Sequence, residues 1–224
     1  MRKFFKFYSE KSRKKRAAIF LKNIAPKEGA KILDLGGGNG KYINSILPKN
    51  QDFNVTISDI LIDDLKYAED NLKYKTTRLI EDKKLPFEDT AFDIVFCNSV
   101  IEHVTIPKND IWILKSTKKF QHLSFKRQQE FAEEIKRIGK SYFVQTPYKY
   151  FLIESHSWLP GFIVLLPRPL QIKTIKFFNK FWPKKTSPDW NLLTFKQMQQ
   201  LFPEALIYRE KILGFTKSLI AIKK

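Results

Sequence analysis

The chain has 224 residues, 43% of them hydrophobic, enough for a sizeable core and too apolar for a disordered polymer. Its one cysteine, Cys97, cannot close an internal disulfide, which fits a reducing, cytoplasmic compartment. No apolar signal core follows the basic start, and the longest apolar run, 158–166, is far short of the ~20 residues of a spanning helix.

Net charge is +18, and the excess is clustered. Residues 2–16 hold eight basic side chains against one acid, Glu10. Between Glu154 and Asp189 there is no carboxylate, while Arg168, Lys173, Lys176, Lys180, Lys184 and Lys185 fall there. Such clusters attract phosphates, on nucleic acid or on lipid headgroups.

Helical spacing of Phe20, Leu21 and Ile24 predicts a helix over 9–24, stopped by Pro26. A strand over 31–35 runs into Gly36-Gly37-Gly38-Asn39-Gly40, followed by a helix over 41–47. Strand 55–60, helix 63–72 and strand 77–80 come next, then strand 92–98, whose continuous apolar run suits burial on both faces. An amphipathic helix spans 128–138, with Gly139 as its stop, and a strand spans 141–145. Thr194 caps a helix reaching Leu201, and two closing strands cover 206–211 and 218–222. The alternation predicts an α/β fold: a doubly wound, mostly parallel seven-stranded sheet with helices on both faces and a closing antiparallel pair. Two segments, 105–127 and 157–190, break the alternation and read as insertions.

Ligands of such sheets bind beyond the carboxyl ends of the strands. Four consecutive strand ends carry polar groups: the glycine loop with Gly36, Gly38 and Gly40, then Asp59, the acids Glu81 and Asp82, and Asn98-Ser99. Lys41 stands where a dinucleotide fingerprint would place its third glycine, which weakens a nicotinamide reading. Asp59 lies about 20 residues past the loop, where an acid accepts from ribose hydroxyls. Its alternative role is a cap for the next helix, for which Ser58 and Asp63 are better placed.

The segment Lys31-Ile-Leu-Asp-Leu-Gly-Gly-Gly-Asn-Gly40 resembles the first motif of class I S-adenosylmethionine-dependent methyltransferases. Leu85-Pro-Phe87 and Phe92-Asp-Ile-Val-Phe-Cys-Asn-Ser-Val-Ile-Glu-His-Val104 resemble their next landmarks. The resemblance covers roughly 31–147. It implies one methyltransferase domain over 1–224, with a basic N-terminal helix in 1–26 and S-adenosyl-L-methionine as methyl donor. It also implies that Asp34 organises the loop near the methionine amino group, that Gly36 and Gly38 let the cofactor lie against the backbone, and that Asp59 takes the ribose. Ile60 would pack on the adenine, Glu81 or Asp82 would supply the adenine-side acid, and Asn98 would offer its backbone carbonyl.

Transfer to oxygen or nitrogen needs a proton removed. His103 follows Glu102 beyond the fourth strand, and Glu154 and His156 share one face of an extended segment after the fifth. These three are the candidate catalytic residues; for His103 the alternative is packing or capping at a helix start. A metal on His103, Glu154 and His156 is chemically conceivable, but none is expected. His122 should be exposed and Cys97 an inert buried side chain. Residues 142–160 resemble a subset of bacterial methyltransferases, some encoded among envelope-glycan genes, which implies a small or lipid-linked acceptor. The charge also admits an RNA methyltransferase, although no RNA-binding module is visible and specific nucleic-acid binding is not expected. A non-catalytic scaffold is the third reading. The 157–190 segment reads as a lid over the crevice or as a peripheral contact with an anionic membrane at its inner face, with Arg13, Lys14, Lys15 and Arg16 as a second basic contact.

Overall fold

The structure, a computed structural model, describes residues 2–81, 84–154 and 156–224, with side chains from Glu10 onward. The strands are β1 (Lys31–Leu35), β2 (Asn54–Asp59), β3 (Lys75–Arg78), β4 (Phe92–Asn98), β5 (Gly139–Pro147), β6 (Leu206–Ile212) and β7 (Phe215–Lys223), and the helices are α1 (Arg2–Ile24), α2 (Lys41–Ile46), α3 (Ile62–Leu72), α4 (Thr117–Ile138), α5 (Arg168–Phe178) and α6 (Phe195–Leu201).

The strands form one seven-stranded sheet in the order β3-β2-β1-β4-β5-β7-β6. Pairing is parallel from β3 through β5, and β7 runs antiparallel to both β5 and β6. Alternation along each strand sorts the core onto two faces. Leu33, Leu35, Val95, Cys97, Tyr142 and Val144 meet Ala132, Ile135 and Ile138 of α4 and Met198 and Leu201 of α6. Ile32, Ile57, Ile94, Phe96 and Phe143 meet Ile19 and Phe20 of α1, Ile43 of α2 and Leu65 of α3. Phe20 is fully buried, its ring edge-on to Phe96 and Phe143 at 5.0 and 5.4 Å. The N-terminal helix is therefore a layer of the fold.

Three differences from the sequence reading bear on the site and the segments around it. Helix α4 starts at Thr117, capped by Ser116 Oγ accepting from the Lys119 amide, and turns Phe120, Ser124 and Gln128 inward, so the second half of the 105–127 segment is helix. Strand β3 ends at Arg78 because β2 ends at its register partner Asp59; Glu81 therefore lies beyond the strand, exposed. Residues 168–178 form α5, with Arg168, Gln171, Ile172 and Ile175 turned inward at helical spacing. No helix among the described residues is long and apolar enough to cross a membrane.

Candidate active site

At the end of β1 the chain reverses through residues with positive φ: Gly36 (72°), Gly38 (54°) and Gly40 (70°). Gly37 has a different reason to lack a side chain. A Cβ there would lie 2.3 Å from Asp34 Oδ2. Two amides, of Gly36 and Gly37, donate to the Ser58 carbonyl at 2.7 and 3.3 Å, fastening the loop to β2. Asp59 Oδ2 accepts from the Gly38 amide (2.8 Å), and its Oδ1 accepts from the Leu61 amide (3.0 Å). Helix α3 has no side-chain cap, so Asp59 also does the turn-fixing work that the sequence reading gave to Ser58 or Asp63. Each oxygen keeps a lone pair for a further donor.

Asp34 is buried, and among the described residues it has no ion-pair partner. Burial, and then the neighbouring Asp59 carboxylate, push its pKa up to about 7. A carboxyl group held under a glycine turn without a counter-ion suits a cationic ligand group, and this is the structural test that an amino-acid-bearing cofactor passes here. Ile60 is half-buried beside Asp59. Glu81 pairs with Lys108 Nζ at 2.7 Å, and Asp82 lies outside the described residues.

Past β4, Ser99 adopts a φ of 59°, held by its amide on the Gln145 carbonyl (2.9 Å) and its Oγ on Gln145 Oε1 (2.9 Å). Strain of this kind gathers at functional sites. Arg16, from α1, reaches the same place. One guanidinium nitrogen donates to Asn98 Oδ1 (2.6 Å) and Gln145 Oε1 (2.7 Å), and Nε faces the buried Glu210 carboxylate at 3.5 Å. Arg16 is thus buried, which corrects its expected place among outward basic contacts; Arg13, Lys14 and Lys15 remain exposed.

Four side chains then converge. Glu102, fully buried in the short 3-10 turn Ile101–His103, accepts from Thr146 Oγ1 (3.0 Å) through Oε2, while Oε1 has no hydrogen-bond partner. His156 presents Nε2 to that Oε1 at 3.5 Å. Its Nδ1 and its amide both meet Glu154 Oε1 at 2.7 Å. The other Glu154 oxygen accepts from the amide and hydroxyl of Ser157, each at 2.6 Å. His103 stacks edge-on to His156 at 4.5 Å, with Nδ1 3.4 Å from Asp189 Oδ2. Burial works against a charged His156, but the Glu102 and Glu154 carboxylates outweigh it and raise its pKa to about 9. For Glu154 and Asp189, burial favours the neutral acid, yet the paired histidines hold both pKa values below the ordinary range.

Of the candidate catalytic residues, His103 and His156 lie together, and Glu154 supports His156 with both oxygens engaged. Glu102, Asp189 and Arg16 were not placed in the site by the sequence, which put Arg16 among outward basic contacts. One signal did exist: Glu154 and Asp189 are the acids that flank the carboxylate-free stretch, and both return to the histidines. His122 is exposed on α4 and Cys97 is buried, its thiol pKa raised by burial first. A cleft lined by Lys31, Asn54, Lys75 and Phe92 opens at the opposite, amino-terminal ends of the strands.

A family model for a methyltransferase domain matches residues 33–142. The chain is 28% identical over 174 residues to an uncharacterized protein of Methanocaldococcus jannaschii, covering 72% of this chain and 74% of that protein. A SAM dependent methyltransferase from Aquifex aeolicus shares the fold with a TM-score of 0.50 at 18% identity, over 92% of this chain and 88% of that one. The PH0226 protein of Pyrococcus horikoshii gives a TM-score of 0.51 at 14% identity, over 92% and 87%. The methyltransferase-domain match over residues 33–142, on a fold shared with a SAM dependent methyltransferase, supports a class I methyltransferase with S-adenosyl-L-methionine as its methyl donor.

Proposed function

We propose that the enzyme methylates a small or lipid-linked acceptor, of the kind found among envelope glycan intermediates, while resting on an anionic membrane at its cytoplasmic face. In this reading Asp34, the Gly36, Gly38 and Gly40 turns, Asp59, Ile60 and the Asn98 backbone hold the donor. Asp34 would meet the amino group, and Asp59 the ribose hydroxyls. His103 and His156 line the acceptor space, with Glu154 positioning His156. The donor supplies an activated methyl; the chain's part is alignment, exclusion of water and handling of the acceptor's proton.

One observation carries the reading: a single segment has its roots in the site and an apolar, basic outer face. Residues 148–193 leave β5 and return beside it through the Tyr148 to Leu193 bridge. Trp190 stacks on His156 at 6.1 Å, and the Asn191 amide donates to the Glu102 carbonyl at 2.8 Å. Leu159, Ile163 and Ile175 face inward with Trp190. Outward stand Phe162, Leu165, Leu170, Phe177 and Phe181, among the exposed Lys173, Lys176, Lys180 and Lys185. Aromatics beside cations suit a headgroup interface, where each basic residue adds about 1 kcal/mol near an anionic surface. The lid and the membrane contact are thus two faces of one segment.

Sedimentation with phosphatidylglycerol-rich vesicles tests this. Binding is expected at low and moderate salt, and Phe177→Ser with Phe181→Ser should abolish it without lowering the melting temperature. No binding at low salt overturns the membrane reading. The runner-up, an RNA acceptor, is favoured by the net charge of +18. Labelled methyl transferred to RNA, with none in the lipid-extractable fraction of a membrane preparation, would establish it instead.

A further inference from the structure

We infer that Glu102, His103 and His156 form a binding site for one divalent transition-metal ion. One ligand atom from each of the three lies within 4.8 Å of the others. Ligands of a tetrahedral ion with bonds of 2.0–2.1 Å sit about 3.4 Å apart. Glu102 Oε1 and His156 Nε2 already stand at 3.5 Å. That is too long for a good hydrogen bond, and Oε1 is a fully buried carboxylate oxygen with no hydrogen-bond partner. Such an atom is costly unless something else fills the gap.

The surroundings match what metal-bound histidines need. A ligating imidazole usually has its other nitrogen held by a carboxylate, which fixes the ring and the tautomer. Here Glu154 Oε1 holds His156 Nδ1 (2.7 Å), and Asp189 Oδ2 faces His103 Nδ1 (3.4 Å). In both residues that leaves Nε2 for the ion. Thr146 holds the remaining oxygen of Glu102 at 3.0 Å. Among the described residues no lysine or arginine pairs with Glu102, so its charge has no cation but the His156 ring. Two imidazoles and one carboxylate suit zinc, iron, cobalt or manganese more than magnesium or calcium. The set departs from the sequence expectation in two ways. A metal is inferred where none was expected, and Glu102 replaces Glu154 as the acid ligand because both Glu154 oxygens are already engaged.

The site also has an entrance. The His103 side chain is 36% exposed, so the site can be reached from solvent. A water or acceptor oxygen there would be held and made more acidic. That role rests on the acceptor assignment above; metal binding itself does not.

The untagged full chain, stripped with chelator, should be titrated with Co2+ and followed by visible absorption, with Zn2+ calorimetry in parallel. One equivalent per chain is expected, with nitrogen–oxygen ligand-field bands. Glu102→Gln and His156→Asn should each weaken binding at least ~10-fold, while Asp189→Asn, which removes no ligand, should weaken it ~10–100-fold and shift the bands. Binding of S-adenosylhomocysteine to the same samples reports independently on the donor pocket. Co2+ binding absent, or unchanged in Glu102→Gln and Asp189→Asn, overturns the site even if that pocket is intact.

Discussion

At the carboxyl ends of β1 and β2 the site is made of backbone. Glycine turns, the Ser58 carbonyl and amides accepted by Asp59 lie within 28 positions of each other, between Asp34 and Leu61. Over β4 and β5 it is made of side chains from distant positions: Glu102, His156 and Asp189 in one region, Arg16, Asn98, Gln145 and Glu210 in the other. The proposed donor half is built from local sequence, and the proposed acceptor half is assembled with the 148–193 segment, which leaves β5 and returns beside it as a cap. Substitutions should therefore separate donor binding from the acceptor half, except at the residue that joins the halves.

That residue is Arg16. It links α1 to the ends of β4 and β5 and faces the Glu210 carboxylate, which is fully buried with both oxygens lacking hydrogen bonds. Arg16→Ala removes the ion-pair partner of that buried carboxylate, leaving only the more distant field of Lys217, and should destabilise the fold by about 3 kcal/mol or more. Denaturant unfolding measures it. A loss below ~0.5 kcal/mol would show that Arg16 is only a surface cation, as the sequence suggested.

The next effect is local to the donor half. Asp59→Ala removes the acceptor of the Gly38 amide and the proposed ribose contact. Hydrogen bonds to a charged group contribute ~1.5–3 kcal/mol, so S-adenosylhomocysteine affinity should fall about 100-fold, read by calorimetry. Asp189→Asn in the cap should leave that affinity within about twofold. Equal losses in both variants would erase the proposed division.

The same contrast decides what the sequence could reveal. The glycine loop, Asp59 and the buried run of β4 are local patterns, and turn geometry and strand alternation write them into adjacent residues. Helix α6 was legible for that reason, through its cap Thr194, which the structure completes as a capping box with Gln197. The inward course of Arg16 was not, because nothing near position 16 marks its partner 194 residues later, Glu210. Nor was the first half of α4, where lysines dilute the apolar stripe and the inward positions include the polar Ser124. Gln128 is placed by long-range bonds to the Ile101 and Asn191 carbonyls, at 2.9 Å each. Likewise α5 lay hidden in the apolar and basic 157–190 segment until packing sorted its faces.

The smallest effect is the most diagnostic of how the donor half works. Asp34 has a pKa raised from 3.8 to about 7, by burial and then by Asp59. In the ligand-free protein the folded state keeps this proton longer than the unfolded chain does. Its contribution to stability is therefore present below pH 3.8 and is lost as pH rises toward about 7. Donor binding should run the other way. An ammonium group beside Asp34 favours the carboxylate, so binding below pH 7 must release a proton. Affinity for S-adenosylhomocysteine, which carries the same amino group, should rise about 10-fold from pH 6 to 8 and then level off. Asp34→Asn should bind more weakly and lose this pH dependence. Calorimetry in buffers of different ionisation enthalpy counts the released proton directly. If wild-type affinity is flat across that range and no proton is released, Asp34 does not meet the amino group, and its burial is structural.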